Sequence, residues 1–79
     1  VPVSELQYWI LGLPSPKYPI KDYQLNEYAT LANLKQGNFI IEYDNYESYN
    51  LNTTYILPMK ILIKSPQLRL KIQVEGWSL

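Results

Sequence analysis

The sequence predicts a mainly β, α+β fold: one N-terminal helix, then about five antiparallel strands in an open, curved sheet. Three observations predict it. Leu6, Trp9, Ile10 and Leu13 recur at i, i+3, i+4 and i+7, the spacing of one helix face. Near the other end, Leu68, Leu70, Ile72 and Val74 alternate with Gln67, Arg69, Lys71, Gln73 and Glu75, as in a strand with one dry and one wet face. Between them, Gly12, Pro14, Pro16, Gly37, Pro58 and Pro66 punctuate the chain into short elements joined by turns.

The helix is predicted from about residue 3 to residue 11. Ser4 and Gln7 have the S-x-x-Q spacing of a capping box, and Pro2 precedes them where a missing N–H costs nothing. Gly12 is placed for a left-handed cap, and Pro14 and Pro16 forbid continuation. So short a helix is unstable alone, and its stripe must dock on something. Ile20–Glu27 then reads as a strand with imperfect alternation. Thr30–Gln36 and Asn38–Tyr46 read as a pair joined by a tight turn or bulge at Gly37.

Phe39, Ile41 and Tyr43 share one face of that second strand, with Glu42 and Asp44 on the other. Glu47–Tyr55, rich in Asn and Thr, reads as a polar loop. Pro58 is expected at the beginning of the next strand, where Met59, Ile61 and Ile63 alternate with Lys60, Leu62 and Lys64. Ser65-Pro66 marks the last turn. The sheet is expected over about residues 18–77, in a single domain spanning 1–79.

Composition narrows the chemistry. The 79 residues include no Cys and no His, which removes thiolate metal sites, disulfides and the commonest metal ligand and general base. Seven basic residues balance seven acidic ones, against a nucleic-acid footprint. Glu42 and Asp44 lie on the face opposite Phe39 and Ile41, so they read as a solvated strand face, not a paired-carboxylate site. The serines lack a histidine to activate them, and the three glycines form no phosphate-cradling pattern. Neither an enzyme active site nor a cofactor is expected. Lys60, Lys64, Arg69 and Lys71 read as the outward half of two strands, with docking of an acidic partner as the sharper alternative.

The apolar residues Trp9, Phe39, Ile41, Tyr43, Met59, Ile61, Ile63, Leu68, Leu70, Ile72, Val74 and Trp77 would ordinarily form a packed core. Yet so few strands cannot close a barrel, and a short helix covers only part of such a sheet. Either another chain covers the remainder or the surface faces a cavity. An acyl chain fits a cavity of that kind, because its binding is driven by apolar area removed from water.

Four stretches, "LQYWILGLPSP", "LKQGNFIIEYDNY", "LPMKILI" and "LRLKIQVEGWSL", resemble the LolB family in order and spacing. The matching residues are Leu6, Tyr8, Trp9, Gly12, Leu13 and Pro14; Leu34, Gln36, Phe39 and Tyr43; Leu57 and Pro58; and Leu68, Leu70, Ile72 and Trp77. "QGNF" departs from the longer or Asp-Gly-Trp form frequent in the family. The resemblance covers the family's C-terminal half. It implies half of an unclosed LolA/LolB-type β-barrel, with the first helix as a lid over an apolar cavity. It also implies a receptor at the periplasmic face of the outer membrane, which takes lipoproteins from a LolA-like carrier and is lipid-anchored through its N-terminal half.

On this reading Trp9, Phe39, Ile41, Tyr43, Met59, Ile61, Ile63, Leu68, Leu70, Ile72 and Val74 line the acyl-chain cavity. The partners implied are lipoprotein acyl chains, the carrier, and the N-terminal half or a second copy of the chain. The alternative is a small β-rich interaction domain whose apolar face is covered by another protein or by a second copy.

Overall fold

A computed structural model describes residues 2–78 of the chain, so Val1 and Leu79 of the predicted domain lie outside the described residues. Helix α1 (Val3–Trp9) precedes strands β1 (Ile20–Leu25), β2 (Leu31–Gln36), β3 (Phe39–Leu51), β4 (Thr53–Ser65) and β5 (Leu68–Gln73). All neighbours pair antiparallel in the order β1-β2-β3-β4-β5, one unclosed meander. Short turns make this the natural outcome, since antiparallel neighbours need no crossover.

The predicted capping box does not form. The helix starts at Val3, so Ser4 lies inside its first turn; Pro2 is the N-cap and makes no side-chain cap hydrogen bond. Gln7 Nε2 instead donates to Ser4 O at 2.9 Å, and Ser4 Oγ to Glu5 Oε2 at 2.6 Å. The C-terminus ends as its glycine predicts. Gly12 is left-handed at φ 77°; its N–H donates to Trp9 O at 3.0 Å, and that of Leu13 to Tyr8 O at 3.1 Å. This is the paired closure of a Schellman motif.

The predicted first strand ends early, at Leu25, because Asn26 organises a turn. Its Oδ1 accepts from Tyr28 N, Thr30 N and Thr30 Oγ1 at 2.9, 3.2 and 2.9 Å. Gly37, left-handed at φ 56°, turns β2 into β3 with Gln36 paired to Phe39.

Glu47–Tyr55 is not a loop. β3 and β4 continue through it as a hairpin arm, pairing Tyr49 with Tyr55 and Leu51 with Thr53 around left-handed Asn52. The polar composition reflects faces open to water, while Tyr and Thr keep the pleated conformation.

Pro58 accordingly lies inside β4, not at its beginning. Its carbonyl accepts from Trp77 Nε1 at 3.1 Å, so its N and O point away from β3. On that side β5 pairs with β4 only from Lys60 onward, and no ladder bond is lost.

A second irregularity sits at Asn45, left-handed at φ 60° within β3. Asp44 still pairs with Lys60 and Tyr46 with Pro58, so the register holds. The two-residue alternation nevertheless slips. Tyr43 and Tyr46, three apart, come together with ring centroids 6.1 Å apart. Asn tolerates this conformation better than other non-glycine residues.

The core lies between α1 and the middle of the sheet. Trp9, Leu31, Leu34, Ile41, Tyr43, Ile61 and Ile63 are buried together. Each fully buried aliphatic side chain there contributes about 1.5–3 kcal/mol relative to exposure. β5, at the edge, keeps Arg69 and Lys71 exposed and turns Leu70 and Ile72 towards that core.

Candidate functional site

The site begins with the way α1 is fastened. Gln36 ends β2 and is fully buried. Its Oε1 accepts from Trp9 Nε1 at 2.8 Å and from Ser15 N at 2.9 Å. Its Nε2 donates to Ser15 O at 2.8 Å and to Tyr18 O at 2.9 Å. Every polar valence of one amide is thus used to tie the helix and the linker after it to the sheet. Trp9 is held twice more: Tyr43 Oη donates to its carbonyl at 2.5 Å, and its ring lies 5.2 Å from that of Phe39. Tyr18 continues the aromatic contact on the far side of Phe39, at 6.5 Å.

Fastened in this way, α1 does not reach over β1. Tyr23 pairs with Leu34 and Leu25 with Leu31, so these β1 side chains share the face of two buried leucines. Even so, Tyr23 is 57% and Leu25 51% exposed, and every residue of β1 is exposed. The linker after α1 runs opposite, with Leu13 49% exposed beside Leu11 and Pro14. Between the two walls opens an apolar cleft of about 510 Å³. Leu31 and Leu34 lie at its base, and Ile20, Tyr23 and Leu25 along one side; Tyr46 and Ile56 also line it.

Tyr46 is held by donation to Leu31 O at 2.6 Å. A Cβ on Gly12 would stand 3.2 Å from its hydroxyl oxygen, so the glycine makes room for the phenol. Burial pushes the Tyr46 hydroxyl up to about 12, opposed by a hydrogen bond with the Thr30 side chain. Burial also raises Tyr43 well above the ordinary phenol range, with a smaller contribution from neighbouring Tyr46. Both hydroxyls therefore stay neutral donors at neutral pH.

The eleven residues expected from sequence to line an acyl-chain cavity lie outside this cleft, while Tyr43, Met59, Ile61 and Val74 border other clefts. Trp9, Ile41, Tyr43, Ile61 and Ile63 fill the core, and Phe39, Leu70, Ile72 and Val74 pack against it partly buried. Met59 is buried and accepts a weak hydrogen bond from Tyr49 Oη at 3.6 Å. Leu68 is 37% exposed at the start of β5. None of the eleven lines the apolar cleft. Its walls come from residues sequence reasoning passed over, chiefly Leu11, Ile20, Tyr23, Leu25 and Ile56. The one available signal was the apolar set within the weakly alternating Ile20–Glu27 stretch. Among the described residues no group of acidic side chains could hold a metal ion.

An unclosed antiparallel sheet with one short helix across its apolar face, and an uncovered remainder of that face beside it, defines a half-barrel class of protein. Residues 1–77 match the family model of the outer membrane lipoprotein LolB, and the chain belongs to that family. Among curated relatives, the outer-membrane lipoprotein LolB of Cellvibrio japonicus is 41% identical over 80 aligned residues, covering all of this chain and 39% of the relative. That of Nitrosococcus oceani is 38% identical, covering 38% of its length. That of Francisella tularensis subsp. tularensis (strain WY96-3418) is 34% identical, covering 37%. The chain thus spans roughly two-fifths of the length of these relatives.

Proposed function

We propose that this chain is the acyl-chain-binding portion of an outer-membrane lipoprotein receptor, which accepts lipoproteins from a LolA-like carrier and places them in the outer membrane. The uncovered apolar cleft carries the reading, with Leu13, Tyr23 and Leu25 about half exposed on facing walls. Leaving such side chains in water is unfavourable, and an acyl chain laid between them removes that area from water on both sides. Leu31 and Leu34 belong both to the base of the cleft and to the buried core behind it. At the opposite edge the apolar surface continues through Leu70 and Ile72 of β5 and the following Val74, partly buried, with Leu68 exposed at the start of the strand.

Titration with a fluorescent fatty acid tests the reading. Leu13→Asp combined with Tyr23→Asp should weaken binding more than tenfold while leaving the urea midpoint nearly unchanged, since both positions are solvent-exposed. Equal binding by the variant and the parent would refute the assignment to this cleft.

The exposure of the whole of β1 favours a second reading, in which further chain covers that strand. The remainder of a longer polypeptide or a second copy would serve. Sedimentation of the 79-residue chain distinguishes the two, because a concentration-independent monomer excludes the second copy.

A further inference from the structure

A second cleft, of about 610 Å³, adjoins the first. Among the described residues, Tyr46 and Ile56 are the two that line both. On their far side carboxylates join the lining, Glu27, Asp44 and Glu47 standing among Tyr28, Ala32 and Tyr43. On the near side the lining has no charged residue among the described residues. The boundary between uncharged and carboxylate-bearing lining therefore passes through one aromatic ring and one aliphatic side chain.

Tyr46 is built to stand still. Its hydroxyl is anchored to Leu31 O at 2.6 Å, its ring packs beside Tyr43, and the space at Gly12 receives its tip. The left-handed turn at Asn45 is what brings it to this face, since strict alternation from Tyr43 would have put Asn45 there instead.

We infer that Tyr46, backed by Ile56, is the end stop that fixes how long a hydrocarbon chain the apolar cleft accepts. This rests on the acyl-binding reading. A chain growing along the cleft removes apolar area from water with each methylene until it meets the ring. The anchored ring then blocks further advance, and methylenes beyond that length stay in water and gain nothing.

The test uses the full chain and a homologous series of uncharged probes, hexanol through tetradecanol, competing with a fluorescent fatty acid. For the parent, affinity should rise about fourfold per added methylene up to one length and then level off. In Tyr46→Leu, and in Tyr46→Ala combined with Ile56→Ala, the rise should continue for about two further carbons at the same fourfold step. Tyr46→Phe keeps the ring and should level off at the parent's length even if overall affinity falls. Circular dichroism identifies variants that remain folded, and Ile56→Ala alone serves should substitution of Tyr46 unfold the chain. An unchanged levelling point in the folded variants, or an unbroken rise in the parent, overturns the end stop and leaves acyl binding standing. No binding of any probe by the parent overturns both.

Discussion

The indole of Trp9 and the amide of Gln36, twenty-seven positions apart, are joined by a buried 2.8 Å hydrogen bond. That contact is one of four made by the same amide, and together they connect α1, the linker and the β2–β3 hairpin. Replacing Gln36 by Leu would leave the indole N–H, the Ser15 N–H and two carbonyls without partners. At about 1–3 kcal/mol for each unsatisfied buried group, partly relieved by water, a loss of at least about 3 kcal/mol is expected in urea unfolding. A loss below about 1 kcal/mol would show that the amide does not fasten the helix to the sheet.

Gly12 and Tyr46 should behave as a coupled pair. Gly12→Ala places a Cβ 3.2 Å from the tyrosine oxygen and forces a side chain into left-handed backbone. The backbone cost is about 1–2 kcal/mol, and the contact adds to it. Tyr46→Phe removes the crowded oxygen, so the double variant should lose less than the sum of the single ones. Additive losses in a double-mutant cycle would argue that the ring does not press on this position.

High pH should act through the buried phenols. The native pKa of Tyr46 is raised from 10.0 to about 12, so between these values the unfolded chain releases a proton that the native state retains. Tyr43 is raised in the same direction. The stabilisation is complete below pH 10.0, falls as pH rises above it, and for Tyr46 is gone beyond about 12. Urea midpoints measured across the alkaline range should decline less steeply for Tyr46→Phe than for the parent. Identical slopes would contradict the shift.

The ion pair between Lys64 Nζ and Glu42 Oε2, at 3.0 Å, should matter little. Both side chains remain about a third or more exposed, where solvent and salt screen the attraction. Lys64→Met should change stability by less than about 0.5 kcal/mol, and the residual effect should vanish in molar salt. A loss above about 1 kcal/mol would mean the pair is better shielded than its exposure indicates.

What local chemistry dictates could be read directly from the residue order. Gly12 closes the helix and Gly37 turns β2 into β3, while Met59, Ile61 and Ile63 face inward because strand geometry has period two. The arm reads as a loop because its asparagines favour turns; its Tyr and Thr residues favour strands, and pairing across Tyr49 and Tyr55 decides between them.

Asn45 shows the limit most clearly. One left-handed residue moves Tyr46 onto the face of Tyr43, and no periodicity reports it. The cleft was hidden for a related reason. Whether an apolar side chain is core or open wall depends on how far a seven-residue helix reaches across the sheet. That reach is set by where Gln36 fastens Trp9, Ser15 and Tyr18. Sequence alone determined the elements and their polarity, because those depend on neighbours along the chain. Tertiary structure decided which apolar residues stay uncovered, because that depends on contacts between residues far apart in it.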